Sequence, residues 1–538
     1  MAPTTQAAPS CLDGSYPTLL NAEQTRIAEQ ALAAHLPPYT LMQRAGEATA
    51  RLALALAPHA RTIWLACGPG NNGGDGLEAA VHLAAAGKVI HVTLLQAEGK
   101  TLPEDATHAL QRARAAGLAI SSELPPHYDL AIDALWGIGL RSGMELQPDS
   151  TAARCVHTLL HTKSDVLSVD TPSGLLCDTG ALAPAFAALA PSAPRGRRFT
   201  LSMLGLKPGL FTHQGRDWAG EVWVAPLRGG SNAIKIDSSS PNRYAPAADL
   251  ACSTPSAYLV THNRQSPQAQ NTHKGQFGDV GVLGGAPGME GAALLATSAA
   301  LHSGAGRVML HLIGSTGACP STLAPDIMVR GLDGLLAQRG ALACGCGGGT
   351  AIAAVLPQVL ARSGPVVLDA DALNAIAASP ALQQALAART ARGATVLTPH
   401  PLELARLLAC TTAAIQADRI NAACRAARQW QCIVVLKGSG TVIATPDGSY
   451  AINHSGNARL AIGGTGDVLA GCIAAQLAGL ESEAYKTQNP AWQHAWQRVL
   501  NAVWLHGHVA DTWDLHHPTQ PTLTASRLAE ALPRQSGS

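Results

Sequence analysis

Short apolar runs alternate along this chain with stretches of helical period, and most of the runs stop at glycine or aspartate. In the first half, RTIWLACG, VIHVTLL, YDLAIDALWG and DVLSVDTPSG read as buried strands, and GLEAAVHLAAAG, Gly76 to Gly87, reads as a helix stopped by glycine. In the second half, GDVGVLGG, GRVMLHLIG, GPVVLDADALN, ATVLTPHP and CIVVLKGSG have the same character. Strands alternating with helices imply parallel sheets covered on both faces, an α/β fold. Ligands of such sheets bind beyond the carboxyl ends of the strands. The polar motifs of this chain follow directly after predicted strands.

The least periodic interior stretch runs from Arg228 to Pro255 and is rich in Ser, Pro, Gly and Asn. It predicts two domains, residues 11–230 and 256–535, joined by a linker at 231–255. The Ala/Pro run Ala181–Pro194 predicts a loop or short helix inside the first domain. A hydrophobic share of 47% over 538 residues suits well-buried domains and excludes general disorder. The net charge of +1 and an aromatic share of 4% leave no footprint for nucleic acid or an anionic membrane. No apolar run has bilayer-spanning length, and MAPTTQAAPSCLDGSYP has neither the basic start nor the apolar core of a signal peptide. The expectation is a cytoplasmic protein. Its 12 cysteines include no C-x-x-C pair, and Cys344 and Cys346 are poorly spaced for a metal.

In the first half, Ile63–Cys67 leads into GPGNNGGDG, predicted as a glycine loop ahead of the helix from Gly76. Such a loop lets backbone N–H groups approach a phosphate, although it is not the G-x-G-x-x-G fingerprint. Asp133, Asp170 and Ser173 follow strands with glycine nearby; joined by Asn72, these oxygen donors suit a hard cation.

The strongest second-half segment is NARLAIGGTGDVLAGCIAAQLAG, where Gly463 to Asp467 opens an apolar helix. Its amides form an anion hole, and Asp467 is placed to take a proton from a hydroxyl aimed at a phosphoryl group. Lys437, Gly438, Ser439, Gly440 and Thr441 form a predicted turn between two strands, with donors suited to a nucleotide phosphate. TPHPLELARLL sets His400 and Glu403 at a strand mouth, where Glu403 either caps the helix or holds magnesium through water. Asp369 and Asp371 are close enough to repel unless a cation or a lysine shares them.

GNNGGDG, IDALWGIGL and VDTPSGL, with YTLMQRAG upstream and LKPGLFTHQGRDWAGEVWV downstream, resemble the YjeF N-terminal family of NAD(P)H-hydrate epimerases over residues 18–227. The resemblance implies a Rossmann-like three-layer sandwich, a bound potassium ion, and interconversion of the R and S hydrates of NADH or NADPH at C6. It places Asn71, Asn72, Gly73, Gly74 and Asp75 on the hydrate's phosphate and ribose, and the loop Gly137, Ile138, Gly139, Leu140, Arg141, Ser142, Gly143 closing over it. Asp170 becomes the acid–base residue near the reacting end, and Asn72, Asp133 and Ser173 the potassium ligands. Lys207, in LKPGL, is an additional acid–base candidate whose competing reading is a solvated loop lysine. Trp136 stands where the family more often has Phe.

The second half, about 256–530, resembles the ADP/ATP-dependent NAD(P)H-hydrate dehydratases, with a ribokinase-like fold, on HKGQFGDVGVLGGAPGMEGAALLATSAALHSGAGRVML and the segments above. That implies Ala292, Gly349, His400 and Asp467 on the hydrate, and Lys437 to Thr441 with Gly466 on the nucleotide. ADP, with magnesium, is the implied co-substrate, released as AMP and phosphate. Two departures stand out: GCGGG, Gly345 to Gly349, replaces a G-P-G-L-G loop, and Leu402 replaces a Gly in T-P-H-P-G-E. The whole chain thus resembles a bifunctional NAD(P)H-hydrate repair enzyme. The competing reading is a ribokinase-class small-molecule kinase fused to a non-catalytic Rossmann-like binding module. Open-sheet domains of this kind often form homo-oligomers, though no interface stripe stands out.

Overall fold

A computed structural model describes residues 16–95, 101–191, 196–228, 233–236, 257–261, 271–314, 323–480, 490–520 and 522–533. The expected linker lies outside the described residues except at 233–236, and so does almost all of the stretch tested for a signal peptide. The chain divides into two compact units, one of residues 17–257 and one of residues 1–16 with 258–538. Among the described residues no helix is long and apolar enough to cross a membrane.

The first unit holds an eight-stranded sheet in the order β3-β2-β1-β4-β5-β6-β7-β8. Its strands are β1 (Thr62–Cys67), β2 (Val89–Leu94), β3 (Ala119–Ser121), β4 (Leu130–Ala134), β5 (Asp165–Val169), β6 (Arg198–Met203), β7 (Glu221–Ala225) and β8 (Ile234–Lys235). All neighbours pair in parallel except β7 and β8. The chain reverses its direction of travel across the sheet between β1 and β4, which opens a crevice at their carboxyl ends. Strand burial is nearly continuous, as a sheet covered on both faces requires: β1 buries all but its first residue and β4 and β6 bury every residue. Fully buried Trp64 places its indole N–H on Thr93 Oγ1 at 2.9 Å. The Ala181–Pro194 run contains the short helix Pro184–Ala187.

The second unit holds a ten-stranded sheet in the order β12-β11-β10-β13-β14-β15-β16-β17-β18-β9. The strands are β9 (Ala257–Val260), β10 (Asp279–Gly284), β11 (Arg307–Leu312), β12 (Ile327–Val329), β13 (Ala341–Cys344), β14 (Val366–Leu368), β15 (Thr395–Leu397), β16 (Ile433–Leu436), β17 (Val442–Ala444) and β18 (Tyr450–Asn453). From β12 to β16 the pairing is parallel, as the alternation of strands and helices implies, and β16, β17 and β18 add an antiparallel meander. The physical reason is connection length. Lys437–Thr441 and the turn before Tyr450 are too short for a crossover helix, and only a hairpin closes over so few residues.

Two Ala-rich helices, Glu290–His302 and Thr465–Ala478, pack on each other. A Cβ at Gly471 would overlap the Ala296 carbonyl oxygen, so glycine sets how closely they approach. That contact fixes the helix whose first turn carries Asp467.

Candidate functional site

The first candidate site lies at the β1/β4 switch point. The Asn71–Ala85 helix begins at Asn71, five residues before the sequence reading placed it, so Asn71 to Asp75 form its first turns and not a loop. Close packing explains this: a side chain at Gly73 would overlap the Gly68 carbonyl and one at Gly74 would press on Met42, so glycines let the first turn sit down on the end of β1. Gly70, Asn71 and Asn72, at the start of that turn, line the crevice, where the first N–H groups of a helix lack an intrahelical partner.

A cleft of about 870 Å³ opens there, lined among others by Glu29, Tyr39, Asn71, Asn72, Asp75, Trp136, Gly137, Ile138, Gly139 and Asp170. Leu140 is half-buried outside that lining, and Arg141, Ser142 and Gly143 continue as an exposed loop. Trp136 packs edge-on against Phe186, with ring centroids 5.4 Å apart.

Asp170 follows β5 in the left-handed region, φ 66°, a conformation that sequence-local forces disfavour and that surrounding contacts must hold. Its Oδ1 accepts from Met203 N at 3.1 Å and is paired with Lys207 Nζ, which also donates to Met203 O at 2.6 Å. Lys207 is fully buried, which corrects the solvated-loop reading: its charge is matched by Asp170 at the floor of the cleft. Burial, then the neighbouring Asp170 and Glu29, pushes the Asp75 carboxyl well above its usual range. Burial, then Asp170, raises Glu29 as well. Glu29 was missed by sequence reasoning, because nothing local to its helix, Ala22–Ala33, distinguishes it from any surface glutamate.

Asp133 is buried behind this floor. Its oxygens accept from Ser173 Oγ at 2.5 Å, Ser173 N at 2.8 Å and Leu135 N at 3.3 Å. Burial raises its carboxyl, and the two Ser173 bonds pull the other way. Asn72 Nδ2 is buried with no partner. Asp133 and Ser173 are bonded to each other, while Asn72 lines the cleft beside Gly137 and Asp170; a carboxylate, a hydroxyl and an amide that can swivel to present oxygen are donor types that fit a hard monovalent cation.

The second candidate site gathers the carboxyl ends of β13, β14, β15 and β16. The Cys346, Asp369 and Asp467 ligand atoms all lie within 4.8 Å of one another. Asp369, buried after β14, accepts from Lys437 Nζ at 2.7 Å, so the lysine shares one of the two close carboxylates. The other, Asp371, accepts from Gly349 N at 2.8 Å. Burial works against the charge of Lys437, but Asp369 and Glu403 outweigh it and push its pKa up. Gly466 sits over this pair; a Cβ there would lie 3.1 Å from Lys437 Nζ.

Asp467 occupies the first turn of the Thr465–Ala478 helix, whose cap Gly464 has φ 93°. Burial, then the charge of Asp369, raises its carboxyl to about 6. Thr465 Oγ1 donates to Leu460 O at 2.9 Å, and buried His506 places Nε2 2.9 Å from Thr465 O. Burial lowers His506 to about 4, so it is neutral and donates from Nε2 to that carbonyl. His506 lies 39 positions beyond Asp467, and no local pattern connects the two.

His400 caps the Pro401–Leu407 helix: Nδ1 accepts from Leu402 N at 3.1 Å and Glu403 N at 3.3 Å, and Glu403 returns a carboxylate oxygen to His400 N at 2.8 Å. Burial pushes Glu403 up to about 7, against the pull of Lys437, whereas burial and then Lys437 lower His400. Of the two readings offered for Glu403, the cap is the one its hydrogen bonds describe. Leu402 is 44% exposed at the rim. Gly438 to Thr441 form the β16–β17 turn, with Gly438 and Ser439 exposed. Ala292 touches the GCGGG loop, where a Cβ at Gly347 would come 3.0 Å from its own.

Residues 280–534 match the family described as NAD(P)H-hydrate dehydratase, and residues 38–209 match the YjeF-related protein N-terminus. The chain is 35% identical over 450 residues to the bifunctional NAD(P)H-hydrate repair enzyme Nnr of Escherichia coli (strain K12), covering 82% of this chain and 80% of that protein. It is 34% identical to the Nnr protein of Moorella thermoacetica, over 82% of this chain and 83% of that one. Among solved structures, the ADP/ATP-dependent NAD(P)H-hydrate dehydratase from Bacillus subtilis co-crystallised with ATP/Mg2+ is 30% identical, covers 50% of this chain and 92% of that chain, and has a TM-score of 0.39. With two α/β units and relatives of this identity along most of its length, the chain belongs to the family of bifunctional NAD(P)H-hydrate repair enzymes.

Proposed function

We propose that this protein repairs hydrated NADH and NADPH in the cytoplasm: its first domain, residues 11–230, epimerises the R and S hydrates at C6, and its second, residues 256–535, dehydrates the S form with ADP. The observation that carries this reading is the grouping of Asp467, Asp369 and Lys437 at an amide-rich helix start. Asp467 takes the proton of the C6 hydroxyl as that oxygen attacks the terminal phosphoryl of ADP; the new P–O bond forms while the bond to AMP breaks. The first-turn amides, Gly466 among them, and the turn Lys437–Thr441 receive the phosphates, while Ala292, Gly349 and His400 border the hydrate. Phosphate is a better leaving group than hydroxide. The ring nitrogen expels it, and loss of the C5 proton restores the reduced nicotinamide. Magnesium brought with the nucleotide would spread phosphoryl charge, and Glu403, whose carboxylate caps the Pro401–Leu407 helix, would hold it through water.

In the epimerase domain, Asn71 to Asp75 receive the hydrate's phosphate and ribose, with Gly137 to Gly143 over it. Asp170 exchanges the proton at the reacting end and Lys207 supplies its counter-charge. Asn72, Asp133 and Ser173 would hold potassium, whose charge would balance the buried Asp133 carboxylate. The experiment is to give purified protein mixed NADHX epimers with ADP and follow each epimer, AMP and phosphate by chromatography. Loss of both epimers with equal release of AMP and phosphate is expected. A stable phosphorylated product would instead identify a small-molecule kinase.

A further inference from the structure

We propose that Cys346 is a positioning residue for the dehydration step: its S–H donates to the Asp467 carboxylate and fixes that side chain against the phosphoryl site. This rests on the function proposed above.

Residue 346 stands in the GCGGG loop after β13, at the place where the resembling loop carries proline. Gly345, Gly347 and Gly349 have φ of 117°, 60° and 57°, so the turn depends on backbone freedom, and proline's stiffening is missing. The turn is held by main-chain bonding to the end of β10 (Gly285 N to Cys346 O at 3.0 Å and Ala286 N to Gly347 O at 2.7 Å), by Asp371, which accepts from Gly349 N at 2.8 Å, and by the one side chain the loop itself carries. That side chain is the Cys346 thiol, fully buried, with its Sγ within 4.8 Å of the Asp467 carboxylate.

The chemistry suits a donor and not a nucleophile. Burial, then the nearby Asp467 and Asp369 carboxylates, pushes the thiol well above its usual range, so it keeps its proton at neutral pH. The groups facing Asp467 are Asp369 after β14, Asp371 on the next helix, Lys437 after β16 and Cys346 after β13. The two aspartates disfavour its charge, and Lys437 is ion-paired to Asp369 at 2.7 Å. A hydrogen bond donated to a carboxylate favours its ionised form, the form a base needs. Cys346 thus does by side-chain anchoring what a stiffer loop would do by shape, and it also biases the base toward readiness.

The test measures kcat for ADP-dependent dehydration from about pH 5 to about pH 9 in the full-length chain, Cys346→Val and Cys346→Ser. Valine fills the volume without a donor, and serine restores one. For Cys346→Val the acid limb should move up by about half a unit to one unit, the size expected from losing one weak bond to a charged group. KM for ADP should hold within about twofold, and Cys346→Ser should return the limb to its original position. A purely structural role would lower the plateau of both variants and leave the limb in place. Superimposable limbs, or serine behaving as valine, overturn the inference while an active unaltered chain leaves the parent function standing. An unaltered chain inert toward the hydrates overturns both. Should Cys346→Val fail to fold, the same limb is read in Cys346→Ala.

Discussion

Replacing Asp467 by asparagine separates chemistry from folding in the second domain. The side chain keeps its shape at the first turn of the Thr465–Ala478 helix but loses the ability to accept a proton. With its carboxyl raised to about 6, Asp467 is about nine-tenths ionised at neutral pH, so nearly every molecule carries the base that the variant lacks. Removing a positioned general base slows turnover by about 10²- to 10⁴-fold. Stability should move the other way. A carboxylate whose folded pKa lies above its unfolded value opposes folding once pH exceeds the unfolded value, so from about pH 4 upward the wild type bears this penalty. Asparagine relieves it by roughly 3 kcal/mol at neutral pH. The assay follows recovery of the reduced-nicotinamide absorbance with ADP, beside a thermal melt and an epimerase rate on the same preparation. Epimerisation should be unchanged and the melting temperature equal or higher while dehydration collapses. Retention of more than about a tenth of the dehydration rate would refute the base assignment.

Dehydration by the unaltered enzyme should fall as pH drops through about 6, because protonated Asp467 cannot accept the hydroxyl proton; kcat against pH checks this. Lys207→Met should leave Asp170 charged and unpaired in a buried floor, destabilising the first domain by about 3–5 kcal/mol and abolishing epimerisation; Asp170→Asn with Lys207→Met should recover much of the stability but none of the activity, as urea unfolding and epimer chromatography would report. Gly471→Ala should force the two Ala-rich helices apart and lower stability by about 1–3 kcal/mol or more in thermal unfolding, with a loss of dehydration, since the displaced helix carries Asp467. Glu403→Ala, which removes half of a capping box, should destabilise the second domain by about 1 kcal/mol, whereas Glu403→Gln should be close to neutral in the same melt.

Strand ends were legible wherever an apolar run met glycine or aspartate, as at Cys67–Gly68, Val169–Asp170 and Leu368–Asp369. Strands β6 and β13 escaped notice, since RFTLSM mixes polar residues into a buried strand and ALAC is too short and too alanine-rich to have a period. The helix start at Asn71 was misplaced because glycine signals a loop locally, and only the close approach of the end of β1 makes it a helix former there.

By itself the sequence determined the alternation that yields two α/β units and the motifs at the strand ends, because period and turn chemistry are written within a few residues. Only the tertiary structure decided the partnerships: that Lys437 joins Asp369 across 68 positions, that Lys207 is buried against Asp170, and that Cys346 faces Asp467. Those depend on sheet order, which brings distant strand ends side by side. Burial then supplies the low dielectric that raises Asp467 and Glu403, a property no residue carries before the chain closes around it.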